Sequence, residues 1–117
     1  METYEIGIYN KLIDNKDMLK KCNKIFEIED FSKFEKYVRK NDTIVICSIF
    51  TLYGICMKDI LDIKENFNLR IICLGNKDID TNTPYGNAMF QMHLATLEFI
   101  ANQKDEIGKI INSYINW

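Results

Sequence analysis

The sequence predicts an α/β domain with a mostly parallel central sheet and a long C-terminal helix. Two observations carry this prediction. Short β-branched runs typical of strands alternate with helical patterns, and the stretch from about residue 86 to 113 is one long, apolar helical segment. The 117 residues fit one domain, 1–117. Right-handed crossovers are expected between its parallel strands.

Four segments have the composition of strands. The clearest is Thr43 to Ile49, a continuous β-branched run expected of a strand covered on both faces. Tyr4 to Tyr9 alternates apolar and polar residues, and Lys24 to Ile28 follows as a second strand. Leu69 to Leu74 is another buried strand, which Gly75-Asn76 closes.

Helical patterns lie between these strands. Phe31 to Lys40 has helical spacing, with Asp30 as its N-cap. Met57 to Asn66 places Ile60, Leu61 and Ile63 inward, and Asp17 to Cys22 favours a short helix.

The long helix, from about Gly86 to Ser113, is apolar on most faces in its first half and narrows to one stripe from Ile107 onward. One face can cover the sheet, and the remainder needs another partner. A second copy of the helix gives a two-fold dimer. The alternative is that another helix of the same chain covers it, but a chain of 117 residues leaves few residues for such a helix. The residues expected at the dimer contact are Met89, Phe90, Met92, His93, Leu97, Ile100, Ile107 and Ile111.

Composition and charge narrow the classes of function. The net charge is −2 and the pI about 5.4, without the basic excess of a domain that binds phosphates unaided. Neither a signal peptide nor a run of ~18 apolar residues is present, so a cytoplasmic protein without membrane contact is expected. The four cysteines show no metal-ligand spacing and are expected to be reduced thiols, with no metal and no cofactor.

Other residues that could carry chemistry have simpler interpretations. His93, the single histidine, has no partner at a convincing spacing and is interpreted as a core or interface residue. Asp78 and Asp80 could bind a cation in the polar loop before the long helix, but such carboxylates more often cap and solvate a turn.

Three segments resemble, in order, the catalytic domain of serine recombinases, the resolvase and invertase family. Cys22 to Ile28 (CNKIFEI) resembles the family's Cys-x-x-Ile-Phe-Glu strand. Asn41 to Gly54 (NDTIVICSIFTLYG) resembles its Gly-Asp-Thr-Leu-Val-Val strand and the Asp-Arg-Leu-Gly-Arg motif that follows. Asp78 to Phe99 resembles its Ile-Asp-Thr loop, Thr-Pro-x-Gly turn and dimer helix. The resemblance covers Ile6 to about Glu106 and implies a three-layer, resolvase-like domain with a C-terminal dimerisation helix.

The family's catalytic residues do not carry over. In that family a serine attacks a DNA phosphodiester while arginines hold the phosphate. Asn10 occupies the position of an arginine and Leu12 that of the serine, and a leucine has no nucleophilic atom. In the second motif Phe50 replaces the aspartate, while Thr51 and Gly54 replace arginines that would stabilise the charge of the transition state. The resemblance therefore implies a catalytically inactive domain.

The expected function is a self-associating interaction or regulatory module of DNA recombination. It would form a homodimer or pair with an active recombinase, without sequence-specific DNA binding, because no helix-turn-helix segment follows the long helix. One alternative is a divergent strand-transfer enzyme using Tyr9 or Thr51 as nucleophile. Another is a domain that binds a small ligand at the carboxyl ends of its strands. Phe50, Leu52 and Tyr53 would form either a partner surface or the filling of the vacant cleft.

Overall fold

The chain folds around a four-stranded sheet. The computed structural model describes residues 3–115, and the side chains of residues 3–103. Its strands are β1 (Glu5–Tyr9), β2 (Lys24–Glu27), β3 (Thr43–Ile46) and β4 (Arg70–Cys73). Its α-helices are α1 (Phe31–Tyr37), α2 (Met57–Asn66) and α3 (Pro84–Ile115).

The strands lie in the order β2-β1-β3-β4, and every pair is parallel. This confirms the predicted α/β class. The sheet, which was predicted to be mostly parallel, is entirely parallel. The register sets Ile6 beside Ile44 and Ile44 beside Ile71, so equivalent side chains point to the same face.

One face of the sheet carries the main core. Every α-helix contributes to it, through Phe31 and Phe34 of α1, Ile60 and Ile63 of α2, and Phe90 and Leu94 of α3. The strand residues beneath them are Ile6, Ile8, Ile44, Ile46, Ile71 and Cys73. These three helices therefore form a single layer on one side of the sheet.

The opposite face has a thinner cover. Leu19, in a 3₁₀ turn at Lys16–Leu19, packs on Val45 and Cys47. The cover approaches so closely that a Cβ at Gly7 would lie 3.0 Å from the Leu19 side chain. Among the described residues no α-helix covers this face. On this face the layer is therefore a short loop and turn, whereas the other face carries the three helices.

One of the predicted helices is shorter than expected. α2 has the predicted bounds, whereas α1 ends at Tyr37 rather than Lys40, because Val38 is already extended. The cause is Asp42, whose buried carboxylate accepts hydrogen bonds from the backbone N–H of Arg39 and of Tyr4, both at 2.9 Å. The segment after α1 is thereby tied to the start of β1.

Asp30 occupies the N-cap position of α1, as predicted. Its side chain makes no capping hydrogen bond, and the residue also ends a preceding 3₁₀ turn at Ile28–Asp30. Its carboxylate instead lies 3.8 Å from Lys33 Nζ, one helical turn away. Such an exposed pair adds little to stability.

The start of α3 is fixed by the loop before it. Arg70 donates two hydrogen bonds to the Asp80 carboxylate, at 3.0 and 2.6 Å. Thr83 Oγ1 accepts from the Gly86 N–H and donates to the Asp80 carbonyl, which caps the helix. A Cβ at residue 86 would clash with that carbonyl oxygen, so glycine is required there. The sequence left two interpretations of Asp80, a cation ligand or a residue that orders the turn. Its hydrogen bonds support the second.

In the described part of the chain, no helix combines the length and the apolar character needed to cross a membrane.

The Arg70–Asp80 pair should make stability depend on acidity. The arginine hydrogen bonds lower the pKa of Asp80, so the pair stabilises the fold above the ordinary carboxyl pKa of about 3.9. This contribution is lost as the pH falls through the lowered value. We expect Asp80→Asn to cost about 1 kcal/mol or less at pH 7, because the pair is partly exposed to solvent.

Denaturant unfolding of the wild type and of D80N at pH 7 and pH 3 measures this difference. The difference in the free energy of unfolding between wild type and D80N should be smaller at pH 3 than at pH 7. For the matched exposed variant Asp78→Asn, the difference from wild type should not depend on pH in this way. A gap between wild type and D80N that stays constant with pH would contradict the assignment.

Candidate functional site

The direction of the strand connections reverses between β1 and β3. The chain leaves β1 towards β2 on one side and leaves β3 towards β4 on the other. The loops that follow the carboxyl ends of β1 and β3 therefore diverge. In open parallel sheets such a switch point is where ligands bind.

A cleft of about 490 Å³ opens at this switch point. Its walls come from the loop after β1, the segment after β3 and one turn of α3. They are mainly apolar, and the lining residues are Asn10, Leu12, Ile13, Asp14, Ser48, Phe50, Tyr53, Leu97 and Ile100. Several of the apolar ones are largely exposed, Leu12 at 84% and Phe50 at 54%. Cleft and exposed apolar wall together have the character of a binding site.

The structure brings three of the five sequence-identified positions into this cleft. Asn10, Leu12 and Phe50 line it, and Thr51 lies beneath its surface with no exposed area. Gly54 instead lines a separate pocket of about 220 Å³ beside Cys56 and has the positive φ of 99° that favours glycine.

A short hydrogen bond forms the floor of the cleft. Thr51 Oγ1 donates to Asp14 Oδ2 at 2.6 Å, and the same carboxylate oxygen accepts from the Asn10 N–H at 2.7 Å. Thr51 Oγ1 also accepts from the Ser48 N–H at 3.3 Å. This network joins the loop after β1 to the segment after β3.

Sequence reasoning missed Asp14, Ile13 and Ser48 as cleft residues. Asp14 lies four residues after Asn10 in a stretch (NKLID) whose turn chemistry was a usable signal, but its partner Thr51 is 37 residues away. Leu97 and Ile100, which the sequence predicts at a dimer contact, form one wall of the cleft.

The electrostatics of the cleft disfavour phosphate. Among the side chains of residues 3–103, Asp14 is the one charged residue that lines the cleft, and no lysine or arginine does. Lys11, which lies between Asn10 and Leu12 in the sequence, has its Nζ 3.5 Å from Glu29. A carboxylate without a cation among these lining residues disfavours anions.

The two alternative nucleophiles are poorly placed for attack on DNA. The Thr51 hydroxyl is completely buried, so a phosphate ester has no path to it. Tyr9 packs with the cluster on the second face of the sheet, with Lys16 Nζ 5.8 Å from its ring. Neither side chain lines the cleft.

The outer face of α3 contains a second feature. Tyr85, Ala88, Met92, Ala95 and Phe99 recur at alternating intervals of three and four residues, and all are exposed. We call these five residues the α3 stripe. Each of its last three members lies two residues from a core residue of the inner face, about 200° around the helix.

The residues expected at the dimer contact lie in different environments. Phe90 and Leu97 are core residues of the single chain, at 0% and 6% exposure. Met89 and His93 are half-buried, and Met92 lies on the stripe. Ile107 and Ile111 fall within α3, but their side chains lie outside the described residues.

The thiols differ in environment. Burial, with the nearby Asp14 carboxylate adding to it, raises the pKa of Cys47 to about 11, and burial also raises that of Cys22. Cys56 is exposed, whereas Cys73 is buried. Within residues 3–103, no three His, Cys, Asp or Glu side chains are grouped so that they could hold a metal ion.

Replacing Thr51 should weaken the fold. Thr51→Val keeps the shape but removes the hydroxyl that joins Asp14 and Ser48, and we expect a loss of about 1–3 kcal/mol from the free energy of unfolding. The matched control is Thr96→Val, whose exposed hydroxyl bonds only the Met92 carbonyl. Equal, small effects of the two variants in denaturant titrations would refute the role of the network.

Thiol reactivity should follow burial. In the native protein at pH 8, iodoacetamide should label Cys56 first, because alkylation needs an accessible thiolate. Cys47 should react only after unfolding, since its pKa of about 11 keeps it protonated. Peptide mass spectrometry over time measures the order, and early labelling of Cys47 would show that the second face opens.

No family model matches this chain, and no curated protein matches it significantly. The geometry of the cleft and of the α3 stripe therefore carries the functional argument.

Proposed function

We propose that this protein is a non-catalytic, self-associating domain, a degenerate relative of the serine recombinase catalytic domain that pairs through the outer face of α3. The observation that carries the proposal is the α3 stripe: a heptad-like row of apolar side chains lying opposite the face that the chain itself buries.

The stripe has the spacing of a helix–helix seam. Intervals of three and four residues keep side chains on one line along a helix, as in coiled coils. Met92 and Phe99 are each 63% exposed, which is costly for large apolar side chains in water. A partner helix on this line would bury them without disturbing the core beneath.

The alternation of sizes favours a second copy as the partner. Large side chains (Tyr85, Met92, Phe99) alternate with alanines (Ala88, Ala95). In an antiparallel pair, Met92 would face the partner's Ala95, and Phe99 the partner's Ala88. Each of these two layers sets a large residue against a small one, which is how facing positions interdigitate. The resulting contact is two-fold symmetric.

The cleft supports the non-catalytic part of the proposal. Leu12 stands where the resembled family has its nucleophile, and none of the described side chains that line the cleft is a cation that could hold a phosphate. The buried Thr51 hydroxyl holds a loop junction together. The resemblance itself is supported by the parallel sheet and by the long helix that begins at Pro84. The biological role we propose is regulatory, either as a homodimer or by pairing with an active recombinase through the same stripe.

Charging the stripe should abolish the dimer. Met92→Glu places a carboxylate at its centre, and we expect at least a 100-fold rise in the dimer dissociation constant, since a buried unpaired charge costs several kcal/mol. Light scattering coupled to size exclusion, over a range of concentrations, gives the mass. The matched control is Met18→Glu, also an exposed methionine but outside the stripe. A wild type that is monomeric at all concentrations, or an unaffected M92E, would refute the proposal.

The direction of pairing can be tested by crosslinking. In a Cys56→Ser background, a mixture of Met92→Cys and Ala95→Cys chains should form a mixed disulfide, because an antiparallel pair sets these positions face to face. Ala95→Cys alone should crosslink poorly. Efficient self-crosslinking of A95C would instead indicate a parallel pair.

A further inference from the structure

The cleft at the switch point differs from the α3 stripe in its chemistry. It is concave rather than ridge-like, and its volume of about 490 Å³ lies within the range of about 300–1,000 Å³ typical of small-molecule sites. It is also independent of the stripe, since none of the five stripe residues lines it.

The walls select for an apolar, flat ligand. Leu12, Ile13 and Ile100 supply aliphatic surface, and Phe50 and Tyr53 supply two aromatic rings. Leu12, Ile13, Phe50 and Ile100 are all largely exposed without a ligand. Covering them removes apolar area from water, which favours binding of a ring that fits between the walls.

The floor selects for a cation. Asp14 Oδ2 is occupied by its two hydrogen bonds, whereas Oδ1 accepts none from any described residue. Oδ1 is not a fully buried atom, so solvent reaches it. A free carboxylate oxygen beside aromatic rings attracts an ammonium group through charge and through the ring faces.

We propose that this cleft binds a small aromatic amine, with its ring against Leu12 and Phe50 and its ammonium group on Asp14 Oδ1. The position at the carboxyl ends of β1 and β3, the volume, the apolar walls and the single carboxylate all support this class of ligand. Phosphates and other anions are disfavoured, because the lining residues that the structure describes include a carboxylate and no cation.

The test compares two probes that share an indole ring and differ in charge, tryptamine and indole-3-propionate. In ¹⁵N-edited NMR titrations, tryptamine should shift the amides of residues 10–14 and 48–53, with a dissociation constant in the range of ~0.1–3 mM expected for so small a ligand. Indole-3-propionate should bind at least ~10-fold more weakly, because its carboxylate meets Asp14.

Variants separate the wall from the floor. Leu12→Ser and Phe50→Ala, both at exposed positions, should each weaken tryptamine at least ~3-fold, and Met18→Ser, an exposed apolar control outside the cleft, should not. Asp14→Asn should abolish the preference between the two probes. Should D14N fail to fold, raising the salt concentration on the wild type provides the second measurement, since screening should narrow the tenfold preference.

Equal affinity for the two probes, or shifts confined to residues outside the cleft, would overturn the proposal. Shifts of the amides of residues 10–14 and 48–53 on protein dilution alone would also overturn it, since a second copy would then occupy the cleft. The dimer-breaking variant M92E should bind tryptamine as the wild type does, so failure of this proposal and failure of the proposed function are distinguishable.

Discussion

The fold depends on the burial of one face of the parallel sheet. In-register pairing sets Ile6, Ile44 and Ile71 side by side, so the strands expose one continuous apolar face that must be covered along its whole width. α1, α2 and α3 all lie on it, and each uses only one of its own faces to do so. A helix held in this way keeps its opposite face towards solvent. For α3 that outer face is apolar, which is why the domain has a row of unburied side chains.

The reversal of connections between β1 and β3 has a second consequence. Because the two loops diverge, something must hold them at a fixed separation, and the Thr51–Asp14 hydrogen bond does this at 2.6 Å. A carboxylate half-buried beside a hydroxyl is well suited to the task, since charge-assisted hydrogen bonds are short and strong. The residues around it are apolar, so the floor of the cleft is polar while its walls are not. That contrast gives the site its chemical character.

Much of the secondary structure could be predicted from local sequence, and most of the tertiary detail could not. α2 and the four strands follow from periodicity and β-branched composition. The early end of α1 depends on Asp42, whose carboxylate accepts a hydrogen bond from Tyr4 at the start of the neighbouring strand β1. The first half of α3 is apolar on nearly all faces, so its sequence alone did not show that Phe90 turns inward and Met92 outward. Asp14 was not predicted as a cleft residue, because its partner Thr51 is close to it only in the folded chain.

The close packing at Gly86 fixes the start of α3. Gly86 packs against the Asp80 carbonyl with no space for a Cβ, so the first turn has essentially one position relative to the sheet. Phe99 lies thirteen residues further on, about 20 Å along the helix axis. A tilt of about 5° at the start of the helix would displace that residue by roughly 2 Å, because the helix is a lever arm of this length. The close contact between Gly86 and the Asp80 carbonyl therefore contributes, with the core residues Phe90 and Leu94, to the alignment of side chains further along the helix.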